Sequence, residues 1–193
     1  MPQRDIGVAI GLPEPYTSQL QAWRERLGDP NAASIPPHVT LLPPTVLADS
    51  ALGDVEQHLR EVAQVGHPFA MQLRGAATFR PVSPVVFVPL VQGIGECERL
   101  EAAVRSGPLD RTLVFPYHPH VTVAHDMPDP LLDTAFEQMA TYDAQFSVWG
   151  FSLFEKARDG VWRPQRDFPF GGAAPGPVRV PVQDSDGTGR AGP

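Results

Sequence analysis

The sequence contains one cysteine and one lysine among its 193 residues. A lone cysteine, Cys97, excludes an internal disulfide and any metal site built from several thiolates. No apolar run approaches the roughly 20 residues that a membrane-spanning helix needs. No basic-then-apolar leader opens the chain, so we expect a protein of the reducing cytoplasm with no membrane partner. Lys156 is the only lysine, so almost all of the basic charge is carried by arginine.

The charge balance is acidic, with a formal net charge of −7. Such a balance argues against a broad basic surface for long nucleic acid, but it leaves room for a small cleft that binds one phosphate group. A length of 193 residues with 42% hydrophobic content suits a single domain with a well-filled core. We expect this domain to be a monomer.

Strand-like and helix-like patterns alternate along the chain. Hydrophobic periodicity predicts helices over residues 16–27, 48–65, 96–105 and 129–141. Strands are predicted over residues 5–12, 69–79, 85–91, 146–154 and 161–168. From residue 171 onward the chain consists mainly of glycine, proline and short polar residues, so we predict a folded domain over 1–170 and a disordered tail over 171–193.

The tetrapeptide Pro-His-Val-Thr occurs twice, at residues 37–40 and at residues 119–122. Chance alone would give only about 0.3 His-x-Thr pairs in a chain of this composition, so the repeat indicates internal duplication. Both copies run into apolar residues and are predicted to be strands, the first one ending at Pro43-Pro44. Side chains alternate along a strand, so the histidine and threonine of each copy share one face while the valine points to the other.

The two motifs lie 82 positions apart, in corresponding places of two similar halves. We therefore predict a pseudo-symmetric α+β fold with two lobes. Each lobe would contain a small, mainly antiparallel sheet with helices on its outside, and the cleft between the lobes would receive both motifs.

Paired histidines suit a reaction that takes one proton and gives another. Near neutral pH one imidazole can act as general base while the other acts as general acid, which is what cleavage of a phosphodiester requires. A hydroxyl two residues further along can donate a hydrogen bond to a phosphate oxygen as charge develops on it. Such a site needs no metal ion for its proton transfers.

The doubled His-x-Thr motif, its strand setting and its spacing resemble the 2H phosphoesterase superfamily, and most closely its branch of 2′-5′ RNA ligases and RNA 2′,3′-cyclic phosphodiesterases. The resemblance covers roughly residues 4–170 and implies a metal-independent, cofactor-free enzyme acting on 2′,3′-cyclic phosphates or 2′-5′ linkages of RNA ends, oligonucleotides or small nucleotides. It also implies that His38 and His120 form the acid/base pair, and that Thr40 and Thr122 bind the phosphate.

Further substrate-binding candidates lie near the motifs. Many bacterial relatives place an arginine three residues after the second motif's threonine, where this chain has His125. Phe79, Tyr117 and Trp149 are candidates for stacking on a nucleobase. The first motif continues into Leu42-Pro43-Pro44, where relatives often have an aromatic residue.

Two other classes of function stay open at this point. One is a nucleotide-binding module that has the same cleft but does not turn its ligand over. The other is a metallohydrolase that uses His118, His120 and His125, although no carboxylate stands at a fixed spacing to complete the ligand set. The sequence also leaves open which motif histidine is the base, and whether the product carries a 2′- or a 3′-phosphate.

Overall fold

We describe residues 3–172 from a computed structural model of the chain. Most of the predicted tail, residues 173–193, lies outside this range. The described helices are α1 (Tyr16–Leu27), α2 (Leu52–Val65), α3 (Ile94–Val104) and α4 (Asp129–Met139). The strands are β1 (Gln3–Gly11), β2 (His38–Ala48), β3 (Phe69–Arg74), β4 (Ala77–Thr78), β5 (Val85–Gln92), β6 (His120–His125), β7 (Asp143–Val148), β8 (Gly150–Lys156) and β9 (Trp162–Pro169). None of these helices is long and apolar enough to cross a membrane.

The strands form a single antiparallel sheet in the order β7-β3-β5-β6-β2-β1-β8-β9, with β4 beside β5. Only Trp149 separates β7, at one edge, from β8, which lies next to the opposite edge. Two consecutive Cα steps span at most about 7 Å, so the sheet has to curl until its edges approach each other. Phe170, just after β9, accordingly packs against Phe69 at the start of β3, with 6.2 Å between ring centroids. The predicted α+β fold class is confirmed.

The two motif strands lie side by side at the middle of this sheet. On one side of them, β1, β8 and β9 continue from β2, with α2 and α3 packed against this half. On the other side, β5, β3 and β7 continue from β6, with α1 and α4 packed against that half. The motif valines, Val39 and Val121, are fully buried and pair directly with each other. The halves are therefore joined through the residues that carry the motifs.

The predicted end of the first motif strand at Pro43-Pro44 is wrong, because β2 continues to Ala48. The pairing of β1 with β2 shifts register between Ile6 and Val8, and the two prolines fall within this irregularity. Proline has no N–H to donate to a ladder, and a bulge is one of the few places in a sheet that accepts it.

The predicted strand over 146–154 is also wrong as a single element. It is divided at Trp149 into β7, which pairs with β3, and β8, which pairs with β1 and β9. The strand predicted over 69–79 is interrupted at Gly75, whose φ of +73° lies in the left-handed region that glycine adopts readily. The helices lie close to their predicted ranges, and α1 matches its range in full.

Candidate active site

The four motif side chains that were predicted from the repeat lie together on one face of the sheet. Val39 stands opposite Val121 in the antiparallel pair. This register places His38 beside Thr122 and Thr40 beside His120. Diagonal neighbours in such a pair lie about 7–8 Å apart, so the two imidazoles are within reach of one bound phosphate group.

His38 is held in one tautomer by its neighbours. Its Nδ1 lies 2.7 Å from the backbone carbonyl of Pro36, which can only accept a hydrogen bond, so Nδ1 carries the proton. In the neutral ring Nε2 is then an acceptor, and the hydroxyl of Thr40 donates a hydrogen bond to it at 3.1 Å. Burial lowers the pKa of His38, the hydrogen bond to Pro36 partly opposes this, and the charge of Arg24 lowers the pKa further.

His120 repeats this arrangement in the second half. Its Nδ1 donates to the carbonyl of His118 at 2.6 Å, which again leaves Nε2 to exchange a proton. Phe87 and Phe79 pack against the ring, with centroid distances of 4.9 and 5.1 Å. Burial lowers the pKa of His120, the hydrogen bond to His118 opposes this, and the charges of His118 and His38 lower it further.

Small residues on β1 leave space in front of the first motif. Gly11 pairs with His38 and Ala9 with Thr40, so both share the motif face. Gly7, two residues before Ala9, completes a stretch in which every second position carries one methyl group at most. A strand with larger residues at these positions would fill the space beside the motif.

Two cavities adjoin His38. The first has a volume of about 130 Å³ and is mostly apolar; it lies beside His38 and Thr40 and is walled by Pro36, Phe154 and Trp162. The second has a volume of about 120 Å³, and its polar lining includes Arg24, Asp29, His38, Thr122 and His125. The first motif thus has an apolar space on one side and a polar space on the other.

His125 reaches the second cavity because of a β-bulge. Phe87 pairs with Thr122 but Val86 pairs with Ala124, so β6 contains one extra residue at this point. Without the bulge, a residue three positions after Thr122 would point to the opposite face. Instead His125 lines the same cavity as Thr122, and its Nε2 lies 3.4 Å from the carboxylate of Asp126.

Arg24 is a residue of the site that sequence reasoning missed. It is 4% exposed; its Nε donates to Asp29 at 2.8 Å and its Nη1 donates to the carbonyl of Ile35 at 2.5 Å. Ile35 directly precedes Pro36, whose carbonyl orients His38, so the ion pair anchors the loop that holds the imidazole. A local signal was present, because Arg24 lies four residues after Leu20 and three before Leu27, on the apolar face of the predicted helix.

The remaining candidates lie in different surroundings. Phe79 stacks on Phe87, with 4.2 Å between ring centroids, and makes a T-shaped contact with His120. Tyr117 packs against the core and donates its hydroxyl to the carbonyl of Thr40 at 2.9 Å. Trp149 is 43% exposed and lines a separate cavity with Gly11 and Ser152. Within residues 3–172, no three His, Cys, Asp or Glu side chains are grouped so as to hold a metal ion.

Comparison with known proteins shows that residues 12–160 match a family model described as the 2′-5′ RNA ligase superfamily. A protein of Bacillus pumilus named "Putative phosphoesterase" is 31% identical over 169 residues, which is 86% of this chain and 96% of that protein. A protein of Oceanobacillus iheyensis with the same kind of name is 28% identical over 167 residues, 86% of this chain and 97% of the other.

Solved structures share the fold. E. coli LigT complexed with 3′-AMP superposes with a TM-score of 0.65 at 18% identity, covering 88% of this chain and 99% of LigT. LigT complexed with ATP gives a TM-score of 0.63 at 20% identity over the same shares of the two chains. At this level of sequence identity, the similarity to LigT shows a shared fold only.

Proposed function

Because this chain belongs to the 2′-5′ RNA ligase superfamily, we propose that it is a cytoplasmic, metal-independent phosphoesterase that hydrolyses 2′,3′-cyclic phosphates or 2′-5′ phosphodiester linkages. Its substrates would be RNA ends, oligonucleotides or small nucleotides. The observation that carries this proposal is the pairing of Val39 with Val121, which puts two histidines and two threonines on one face. The nucleotides bound to LigT are consistent with a nucleotide substrate.

In the proposed reaction one imidazole removes a proton from water through Nε2, and the resulting oxygen nucleophile attacks phosphorus. The bond from phosphorus to one ribose oxygen breaks, and the other imidazole, initially protonated, gives its proton to that oxygen. The product is a phosphomonoester beside a free hydroxyl. The histidine that acted as base is now protonated, and the one that acted as acid is now neutral. If the 5′-hydroxyl of a second RNA end took the place of water, its oxygen would bond to phosphorus as the bond to the 3′-oxygen breaks, and the same two histidines would move the protons of a weak 2′-5′ ligation.

The threonines and the polar cavity would bind the phosphate during this reaction. Hydroxyls of Thr40 and Thr122 can donate to the non-bridging oxygens as negative charge develops on them. His125 lines the cavity beside Thr122 and would contact the same phosphate. Phe79 and Tyr117, which the sequence suggested as substrate contacts, would act mainly by packing beside His120 and by holding the backbone of Thr40.

Steady-state hydrolysis of 2′,3′-cyclic AMP tests the proposal directly. We expect turnover to a phosphomonoester, with the same rate after exhaustive treatment with a chelator. Binding of the nucleotide without turnover would instead favour a non-catalytic binding module. Turnover that is lost on chelation and restored by a divalent metal would favour a metallohydrolase.

The pH profile provides an independent prediction. Burial lowers the pKa of both histidines below the ordinary value of about 6.5. The base must be neutral and the acid protonated, and kcat/KM reports these states in the free enzyme. Lowered values keep the base neutral at more acidic pH but deprotonate the acid earlier as the pH rises. We therefore expect a bell-shaped profile of kcat/KM, measured from about pH 4 to 9, with its maximum on the acid side of about pH 6.5. A maximum well above neutrality would contradict the pairing.

A further inference from the structure

We propose that the apolar cavity beside His38 and Thr40 is a stacking site for the nucleobase of the substrate, with Trp162 and Phe154 as its aromatic walls. This inference rests on the proposed function, because it assigns the nucleobase of the substrate to one side of the phosphate site. The sequence did not point to either residue, since β8 and β9 lie about 115 positions after the first motif and nothing local links them to it.

The topology of the sheet brings these residues together. β8 pairs with β1, with Phe154 opposite Gly7, and β9 pairs with β8, with Lys156 opposite Trp162. A Cβ on Gly7 would lie 3.5 Å from the Trp162 ring, so the indole packs over a position of β1 that has no side chain. The backbone N–H of Trp162 donates to the carbonyl of Ser34 at 2.8 Å, which ties β9 to the loop that carries Pro36.

The chemistry of the cavity fits a flat, weakly polar ring. Apart from His38 and Thr40, its lining side chains are apolar, with Pro36 and Pro44 beside the two aromatic residues. Half-exposed aromatic side chains are suited to stacking, and every nucleobase has a face that can stack. His38 and Thr40 stand at the same cavity, so a nucleoside whose phosphate lies at the motifs could extend its base into it. Because the walls offer few groups that read base edges, we expect little discrimination between bases.

Two substrates distinguish contacts to the nucleobase from contacts to the phosphate. One is 2′,3′-cyclic AMP, and the other is methyl riboside 2′,3′-cyclic phosphate, which has no nucleobase. We expect Trp162→Leu to raise KM for cyclic AMP by about tenfold or more. The same variant should change kcat/KM for the base-free substrate by less than about threefold, since the phosphate contacts are kept. Trp162→Phe, which retains a ring, should give an intermediate KM. Equal effects on both substrates would overturn the proposal, as would no effect on either.

Binding measured without turnover keeps this test separate from that of the enzyme activity. The chain has three tryptophans, so quenching of their fluorescence by cyclic AMP can be assigned with single variants. We expect quenching in the wild type and in Trp149→Leu, and its loss in Trp162→Leu. Loss in Trp149→Leu with retention in Trp162→Leu would overturn the proposal. If the wild type turns over neither substrate, the proposed function fails. The fluorescence quenching still shows whether cyclic AMP binds at Trp162. Phe154→Leu provides a second variant, expected to weaken cyclic AMP binding in the same direction, should Trp162→Leu fail to fold.

Discussion

Replacing His38 or His120 by alanine is expected to lower kcat/KM for 2′,3′-cyclic AMP by about 10²- to 10⁴-fold. Each substitution removes one of the two groups that move protons, while the partner histidine and both threonines stay in place. Because the loss concerns the transition state, it should appear mainly in kcat. Nucleotide binding, followed by tryptophan fluorescence, should be weakened far less.

The double variant makes this expectation more specific. Two residues that act as one unit show strongly non-additive effects, so His38→Ala with His120→Ala should be little worse than the more damaging single variant. His67, an exposed histidine outside the motifs, provides the matched control, and His67→Ala should retain wild-type kinetics. A motif variant that keeps more than about a tenth of the wild-type kcat would remove that histidine from the acid/base pair.

The second large effect concerns stability, and it arises at Gly150, where the chain passes from β7 into β8. A Cβ at this position would collide with the carbonyl oxygen of Phe168 and would lie 2.9 Å from the Cα of Pro169. Both atoms belong to the backbone of β9, so they cannot move aside as a flexible side chain could. Gly150→Ala should therefore lower the free energy of unfolding by about 1–3 kcal/mol. For a domain of this size that corresponds to a fall in Tm of about 2–12 °C.

Thermal unfolding followed by circular dichroism measures this effect. Gly53→Ala provides a control of opposite sign, because Gly53 lies in α2 and a Cβ there meets nothing within 4 Å. Alanine favours a helix interior over glycine by about 0.8–1.0 kcal/mol, and since Gly53 is the second residue of α2 we expect this variant to gain at most about that much stability. An unchanged Tm in Gly150→Ala would show that β9 can separate from β8 without cost.

Much of the local structure and the motif pairs were predictable from the sequence. The spacing of apolar residues defines which side of a helix or strand is buried, and this pattern is local, so α1 and the faces of the motif strands could be assigned. The repeat showed that the chain has two corresponding halves. The division at Trp149 had a local signal that the strand prediction over 146–154 did not use: the buried apolar positions shift from Phe146 and Val148 to Phe151 and Leu153, with Gly150 between them.

The amino-acid sequence by itself determined the secondary-structure periodicity, the α+β class and which side chains of each motif share a face. Only the tertiary structure decided that Val39 meets Val121, that a bulge turns His125 toward Thr122, and that Trp162 stands beside the first motif. It also decided that Arg24 is buried behind His38. The reason is physical: strand order and register depend on pairings between residues far apart in the chain, whose partners no local pattern specifies.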